Sequence, residues 1–242
     1  MGTRDPDAGG GRLPWLSRPG VRRQKCCGGR STAYAEADCA CAEIFPLNGR
    51  CLAPLKLAIF GGTFDPIHSA HLTVAREAAA KFELDQVLFV PAANPPHKTD
   101  LSAGYEDRYR MVELACQGEP RFVPSRLEAG AQTSYSIDTI NRVRRELRPE
   151  DQLFFLIGAD AFADIRQWRR SDEVIAAVDF IVVTRPGHEY ETPPGARVHR
   201  LDTLALPVSS SEIRQQLAAG KEPAELPPPV LAYIRERHLY GA

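Results

Sequence analysis

His68 and His71 stand three residues apart, a few positions after Gly61 and Gly62, and that glycine pair directly follows the apolar run Leu57 to Phe60. Residues at i and i+3 share one face of a helix, so both imidazoles can reach a single ligand. The Ala-rich stretch Leu72 to Phe82 predicts that helix, with the histidines near its first turn. A helix start carries roughly half a positive charge and unpaired N–H groups, which suits a phosphate. Gly61 and Gly62 permit φ above zero and carry no Cβ, so they are expected to bring backbone N–H groups close to an anion. Pro66 fixes φ and lacks a donor, as a loop entering a helix requires. A lone histidine or a bare glycine pair would read as structural; the combination reads as a phosphate seat. A zinc site would need further ligands, and the i, i+4 spacing of helical zinc histidines is absent, so no metal ligand is assigned.

The elements that must position these groups alternate. Strand-like runs are Leu57 to Phe60, Gln86 to Val90, Leu153 to Ile157 and Phe180 to Thr184, with a weaker one at Arg121 to Val123. Helical patterns fill the intervals at Leu72 to Phe82, Tyr105 to Cys116, Ile137 to Leu147 and Asp172 to Ala177. Apolar strands separated by such helices predict an α/β fold, a doubly wound, Rossmann-like parallel sheet flanked by helices. Ligands of such sheets bind beyond the carboxyl ends of the strands, where GGTF, PAAN and GAD all begin. Near the end, SSSEIRQQLAAG has hydroxyls before a helical pattern and Gly220 after it, a start and a stop. Serine N-capping with Arg214 on a solvated face is one reading of that segment; a second phosphate-binding helix start is the other.

Composition narrows the class. The chain has 242 residues, 43% hydrophobic and 25% charged, as expected of a globular protein. No apolar run approaches the roughly 20 residues that span a bilayer, so no membrane role is expected. Residues 1–55 hold eight Lys or Arg against five Asp or Glu, too weak and too poor in aromatics for a nucleic-acid surface. They also hold Cys26, Cys27, Cys39, Cys41 and Cys51, without C-x-x-C pairs, and show no sustained period. This stretch is expected to be a disordered, dispensable extension, and residues 56–242 a single catalytic domain in the cytoplasm. Cys116, in an Ala- and Leu-rich helix, is expected in the core.

GGTFDPIHSAHL resembles the H-x-G-H signature of the nucleotidyltransferase superfamily, in the form typical of bacterial nicotinate-nucleotide adenylyltransferases. Further blocks are similar to the same family in the same order: PAANPPHK at 91–98, SYSIDTI at 134–140, GADAFADIRQW at 158–168, RPG at 185–187, SSSEIR at 209–214 and PPPVLAYIRERHLY at 227–240. Two positions depart from the pattern. Ala70 replaces the glycine between the histidines, and Ser211 stands where threonine is usual, keeping a hydroxyl.

The resemblance implies adenylyl transfer from ATP to nicotinate mononucleotide, with Mg²⁺ accompanying the phosphates. It implies that His68 and His71 are catalytic donors to the α-phosphate. Gly61, Gly62, Thr63, Phe64, Asp160, Ser209, Ser210 and Arg214 would line the ATP site, with Asp160 on a ribose hydroxyl. Lys98, Ser134, Tyr135, Ser136 and Trp168 would hold the mononucleotide, Lys98 at its phosphate and the others around the pyridine. Structural alternatives stay open for Asp160, as a helix N-cap, and for Trp168, as core packing. Another adenylyltransferase of the superfamily, acting on phosphopantetheine or nicotinamide mononucleotide, and a silent nucleotide-binding regulator are the competing functions.

Overall fold

The structure, a computed structural model, describes residues 53–96, 101–185, 189–203 and 208–242. Six strands, β1 (Lys56–Gly62), β2 (Gln86–Pro91), β3 (Phe122–Pro124), β4 (Gln152–Gly158), β5 (Asp179–Thr184) and β6 (Arg197–Asp202), form one sheet in the order β3-β2-β1-β4-β5-β6. Every neighbouring pair is parallel. The sequence dictates this because the central strands are apolar on both faces, which only a sheet covered on both sides can bury.

Side chains alternate between the two layers. Ala58, Val87, Phe89, Phe154, Leu156 and Ile181 point into one core; there they meet α1 (Ser69–Lys81), α2 (Tyr105–Ala115), α6 (Ser210–Ala218) and α7 (Pro228–Glu236). Leu57, Ile59, Leu88, Val90, Phe155, Phe180 and Val182 point into the other, against α3 (Ser136–Glu146), α4 (Ala159–Ala163) and α5 (Ser171–Ala177). Cys116 is buried in the first core, and burial pushes its thiol up to about 12, which leaves it an inert packing group. Gly220, at φ 68, stops α6: its N–H reaches the Leu217 carbonyl at 2.9 Å while the Lys221 N–H reaches Gln216 at 2.9 Å.

Four features differ from the sequence expectation. First, β1 runs through both glycines, and neither has positive φ; the left-handed residue is Phe64, at φ 50. Second, α1 begins at Ser69, before Leu72, so His68 is its N-cap and His71 its third residue. Third, β6 has the sequence RVHRLD, whose charges hide a strand; it lies at the sheet edge, where only Leu201 is buried. Fourth, the segment after Pro227 forms helix α7, which Pro228 and Pro229 open as prolines do in a first turn. The cysteines at 26, 27, 39, 41 and 51 lie outside the described residues, and so does Lys98.

In this order the chain winds outward from β1 through β2 to β3, then returns to place β4 on the other side of β1. The loops after β1 and β4 therefore diverge at the switch point and leave a crevice between them. Gly62 closes β1 at that crevice for a steric reason. A Cβ there would lie 2.9 Å from the Phe64 ring, whereas at Gly61 it would meet only Phe155 at 3.7 Å. Phe64 cannot yield easily: it is 2% exposed, wedged 5.7 Å from Phe60 and 5.9 Å from Phe89 between ring centres. Gly62→Ala is therefore expected to cost about 1–3 kcal/mol in urea denaturation, and Gly61→Ala less than about 1. Equal costs would contradict this steric account.

Candidate active site

The paired histidines sit at the crevice on the first turn of α1. His68, in extended conformation at φ −145, is buried at 4% exposure, and His71 is half-buried. Their ring centres are 3.8 Å apart, tilted by 38°. The His68 N–H donates to His71 Nδ1 at 3.3 Å. A backbone N–H can only donate, so Nδ1 is an acceptor and the proton of neutral His71 is on Nε2. His68 overlies the His71 N–H as in a capping box. That N–H, however, donates to the His68 carbonyl at 3.0 Å, and His68 Nδ1 is left buried with no hydrogen-bond partner. Burial lowers the His68 pKa to about 4, so its ring is neutral at pH 7. Ala70 is buried at 8% exposure.

The loop ahead of the histidines is held from three directions. Arg108, on α2 and fully buried, donates to the Thr63 carbonyl at 2.7 Å, to Ala92 at 2.8 Å, to Ala93 at 3.3 Å and to Ala103 at 3.1 Å. It thereby ties the loop after β1 to the loop after β2. From α6, Arg214 donates to the Asp65 carbonyl at 2.7 Å and Ser210 Oγ to the Pro66 carbonyl at 3.1 Å. The Asp65 carboxylate is buried at 5% exposure; it accepts from the Ser102 N–H at 2.8 Å, the Ala103 N–H at 3.2 Å and the Tyr240 hydroxyl at 2.6 Å. Arg108, Asp65 and Tyr240 were not picked out from sequence. A signal existed for Arg108, which occupies the same helical stripe as Met111, Val112 and Ala115, where a charge has no place unless it is bonded.

The other expected residues fall into groups. Gly61, Gly62 and Thr63 line the end of β1, while the Phe64 side chain is a core wedge and leaves only its backbone for the crevice. Ser209 caps α6, accepting from the Glu212 N–H at 3.2 Å while Glu212 accepts from the Ser209 N–H at 3.1 Å. Serine capping is thus present here, and Arg214 is half-buried against the loop, not solvated. Ser134 and Asn94 exchange bonds, Ser134 N–H to the Asn94 carbonyl at 2.9 Å and Asn94 N–H to Ser134 Oγ at 3.1 Å, which draws SYS to the end of β2. Tyr135 is the N-cap residue of α3 and Ser136 its first residue; Arg169 lies 4.5 Å over the Tyr135 ring. Trp168 is half-buried, edge-on to Phe155 at 5.9 Å, so one side of the indole packs on the core. Asp160 is exposed in the first turn of α4, whose N-cap is Gly158, so the N-cap reading of Asp160 fails.

Paired imidazoles at the first strand-to-helix junction of a parallel α/β sheet suit a phosphate ligand, and the Cytidylyltransferase-like family model, a nucleotidyltransferase class, matches residues 59–216. A probable nicotinate-nucleotide adenylyltransferase of Solibacter usitatus is 62% identical over 188 residues, covering 77% of this chain and 100% of the relative. Its counterpart from Acidothermus cellulolyticus is 40% identical over 195 residues, covering 76% and 94%. The chain belongs to the nicotinate-nucleotide adenylyltransferase family. Among solved structures, the nicotinic acid mononucleotide adenylyltransferase of Plasmodium falciparum complexed with NaAD has the same fold. Its TM-score is 0.66 at 20% identity, with 77% of this chain and 98% of that one covered.

The buried His68 also makes stability depend on pH. Its folded pKa of about 4 lies below the ordinary 6.5, so between those values the unfolded chain binds the extra proton and folding weakens as pH falls. The loss is expected to reach up to roughly 3 kcal/mol by pH 4. In denaturant titrations from pH 7 to pH 4, His68→Gln should flatten this dependence. An unchanged slope would show that His68 is not its source.

Proposed function

We propose that this chain transfers the adenylyl group of ATP to the phosphate of nicotinate mononucleotide, giving nicotinate adenine dinucleotide and pyrophosphate. The reaction is a step of NAD biosynthesis carried out in the cytoplasm by a catalytic unit of residues 56–242. The observation that carries this reading is the pair of imidazoles 3.8 Å apart at the crevice, in a chain 62% identical to a relative of that name along the relative's whole length.

A mononucleotide phosphate is an anion and a nucleophile already, so no general base is required. One of its oxygens bonds to the α-phosphorus of ATP as the bond from that phosphorus to the β-phosphate bridge breaks. Pyrophosphate departs with the electron pair. The protein's part is alignment and charge stabilisation. His71, with its proton on Nε2, and His68 donate to the α-phosphate oxygens. The first turn of α6, with Ser209, Ser210 and Arg214, meets the distal phosphates, and Asp160 the ribose. Lys98 meets the mononucleotide phosphate, and Ser134, Tyr135, Ser136 and Trp168 enclose the pyridine. Mg²⁺ bound with ATP would supply charge neutralisation on the phosphates. Among the described residues no three His, Cys, Asp or Glu side chains cluster as a metal site, and Asp65, beside the histidines, has its carboxylate engaged by three donors.

Pyrophosphate release measured in parallel with nicotinate mononucleotide, nicotinamide mononucleotide and phosphopantetheine tests the substrate. The acid is expected to give the highest kcat/KM, because a carboxylate only accepts, and the hydroxyls of Ser134, Tyr135 and Ser136 with the N–H groups of Tyr135 and Ser136 are donors. A preference for the amide or for phosphopantetheine would replace this substrate while leaving adenylyl transfer in place. No mononucleotide-dependent pyrophosphate at all would favour a regulator. His68→Ala and His71→Ala are each expected to lower kcat by about 10²- to 10³-fold with little change in the KM for ATP. A variant that keeps near-normal turnover removes that histidine from the mechanism.

A further inference from the structure

We propose that Tyr240, in the closing turn of the chain, is a positioning residue for the reaction: its hydroxyl locks the Asp65 carboxylate and with it the loop that presents His68 and His71. This rests on the assignment of those histidines as the groups that meet the α-phosphate. The bond on which this effect depends is the one from the Tyr240 hydroxyl to Asp65.

The contact set is specific. The Tyr240 hydroxyl donates to Asp65 Oδ1 at 2.6 Å, the shortest of the three bonds that carboxylate receives; the others are the Ala103 N–H on Oδ1 at 3.2 Å and the Ser102 N–H on Oδ2 at 2.8 Å. Asp65 stands three residues before His68 and follows Phe64, whose left-handed backbone at φ 50 is a conformation that a bulky residue holds only when its surroundings enforce it. The enforcing bonds come from both sides: Arg108 on the Thr63 carbonyl, Arg214 on the Asp65 carbonyl and Tyr240 on the Asp65 carboxylate. Reaching Asp65 takes an unusual chain path. His238 at φ 51 and Tyr240 at φ 60 are both left-handed, and they fold the segment after α7 back against α6. Burial and the neighbouring carboxylate keep the hydroxyl protonated far beyond the ordinary tyrosine range, so it is a permanent donor. The purely structural alternative, that Tyr240 only pins the closing segment to the body, has a built-in control. Tyr233, on α7, makes an equivalent bond to Asp107 Oδ1 at 2.8 Å without touching the histidine loop.

The test compares full-length Tyr240→Phe, Tyr233→Phe and Asp65→Asn with the parent chain in steady-state adenylyl transfer and thermal melting. Tyr240→Phe, which removes one oxygen, is expected to lower kcat at least about tenfold, because small displacements of aligned groups slow transfer steeply. Its KM values for ATP and mononucleotide should stay within about twofold. Asp65→Asn should show the same split, and Tyr233→Phe should keep the parent kcat while lowering the melting temperature to a similar extent. The proposal is overturned if Tyr240→Phe keeps its kcat, if Tyr233→Phe loses as much, or if Tyr240→Phe fails to fold or loses kcat only in step with its melting temperature. His68→Ala assayed alongside separates the two claims. If that variant turns over normally, the histidine assignment fails whatever Tyr240→Phe does.

Discussion

Arg108 is completely buried, and its partners are carbonyls: those of Thr63, Ala92, Ala93 and Ala103. Burying a guanidinium costs several kcal/mol, and charge-assisted bonds of about 1.5–3 kcal/mol each offset that cost only when the carbonyls converge in the right geometry. The arrangement is therefore conditional. Only when the loop after β1 and the loop after β2 lie side by side do their carbonyls meet one fork, and only then is the charge tolerable. Burial draws the Arg108 pKa down and the nearby Asp65 carboxylate draws it back up, but an arginine stays charged throughout. The planar fork suits this task; a lysine would bring one point charge to four oxygens.

From that staple the site follows in order. With Thr63 fixed, Phe64 takes its left-handed turn under Gly62, and Asp65 falls where Ser102, Ala103 and Tyr240 can saturate its carboxylate. Pro66 then delivers the chain to His68, which is desolvated and neutral, and His71, whose Nδ1 is committed to the His68 N–H. The two rings are nearly in contact, which penalises charging both. Neutral, pre-aimed donors fit a transfer in which charge develops on phosphate oxygens and no proton needs to be abstracted. On the same scaffold α6 is tied to this loop through Ser210 and Arg214, so the two helix starts are fixed relative to each other.

The fold was legible because the central strands are buried on both faces, and such strands announce themselves as unbroken apolar runs. β6 was not, because an edge strand needs apolar residues on one face at most and RVHRLD has few. The histidines and the α6 start with Gly220 behind it follow from local rules of spacing and capping, whereas 134–136 stood out only through the family resemblance, and the bond from Asn94 to Ser134 spans 40 positions. What sequence reasoning missed is the long-range bonding: Asp65 to Tyr240 spans 175 positions and Arg214 to the Asp65 carbonyl 149. Gly62 makes room for an aromatic ring, and the positive φ expected of the glycines belongs to Phe64.

Hydrogen exchange tests most directly whether Arg108 organises the crevice. The Ala92 N–H bonds to the Gly62 carbonyl at 2.9 Å, and the Ser102 and Ala103 N–H groups bond to Asp65, so these three amides report whether the two loops are locked together. In Arg108→Met their protection is expected to fall by at least about tenfold relative to amides of β4 and β5, since each lost bond to the guanidinium frees a loop without emptying the sheet core. Protection that falls equally across all these amides, or stays unchanged at Ala92, Ser102 and Ala103, would contradict the account.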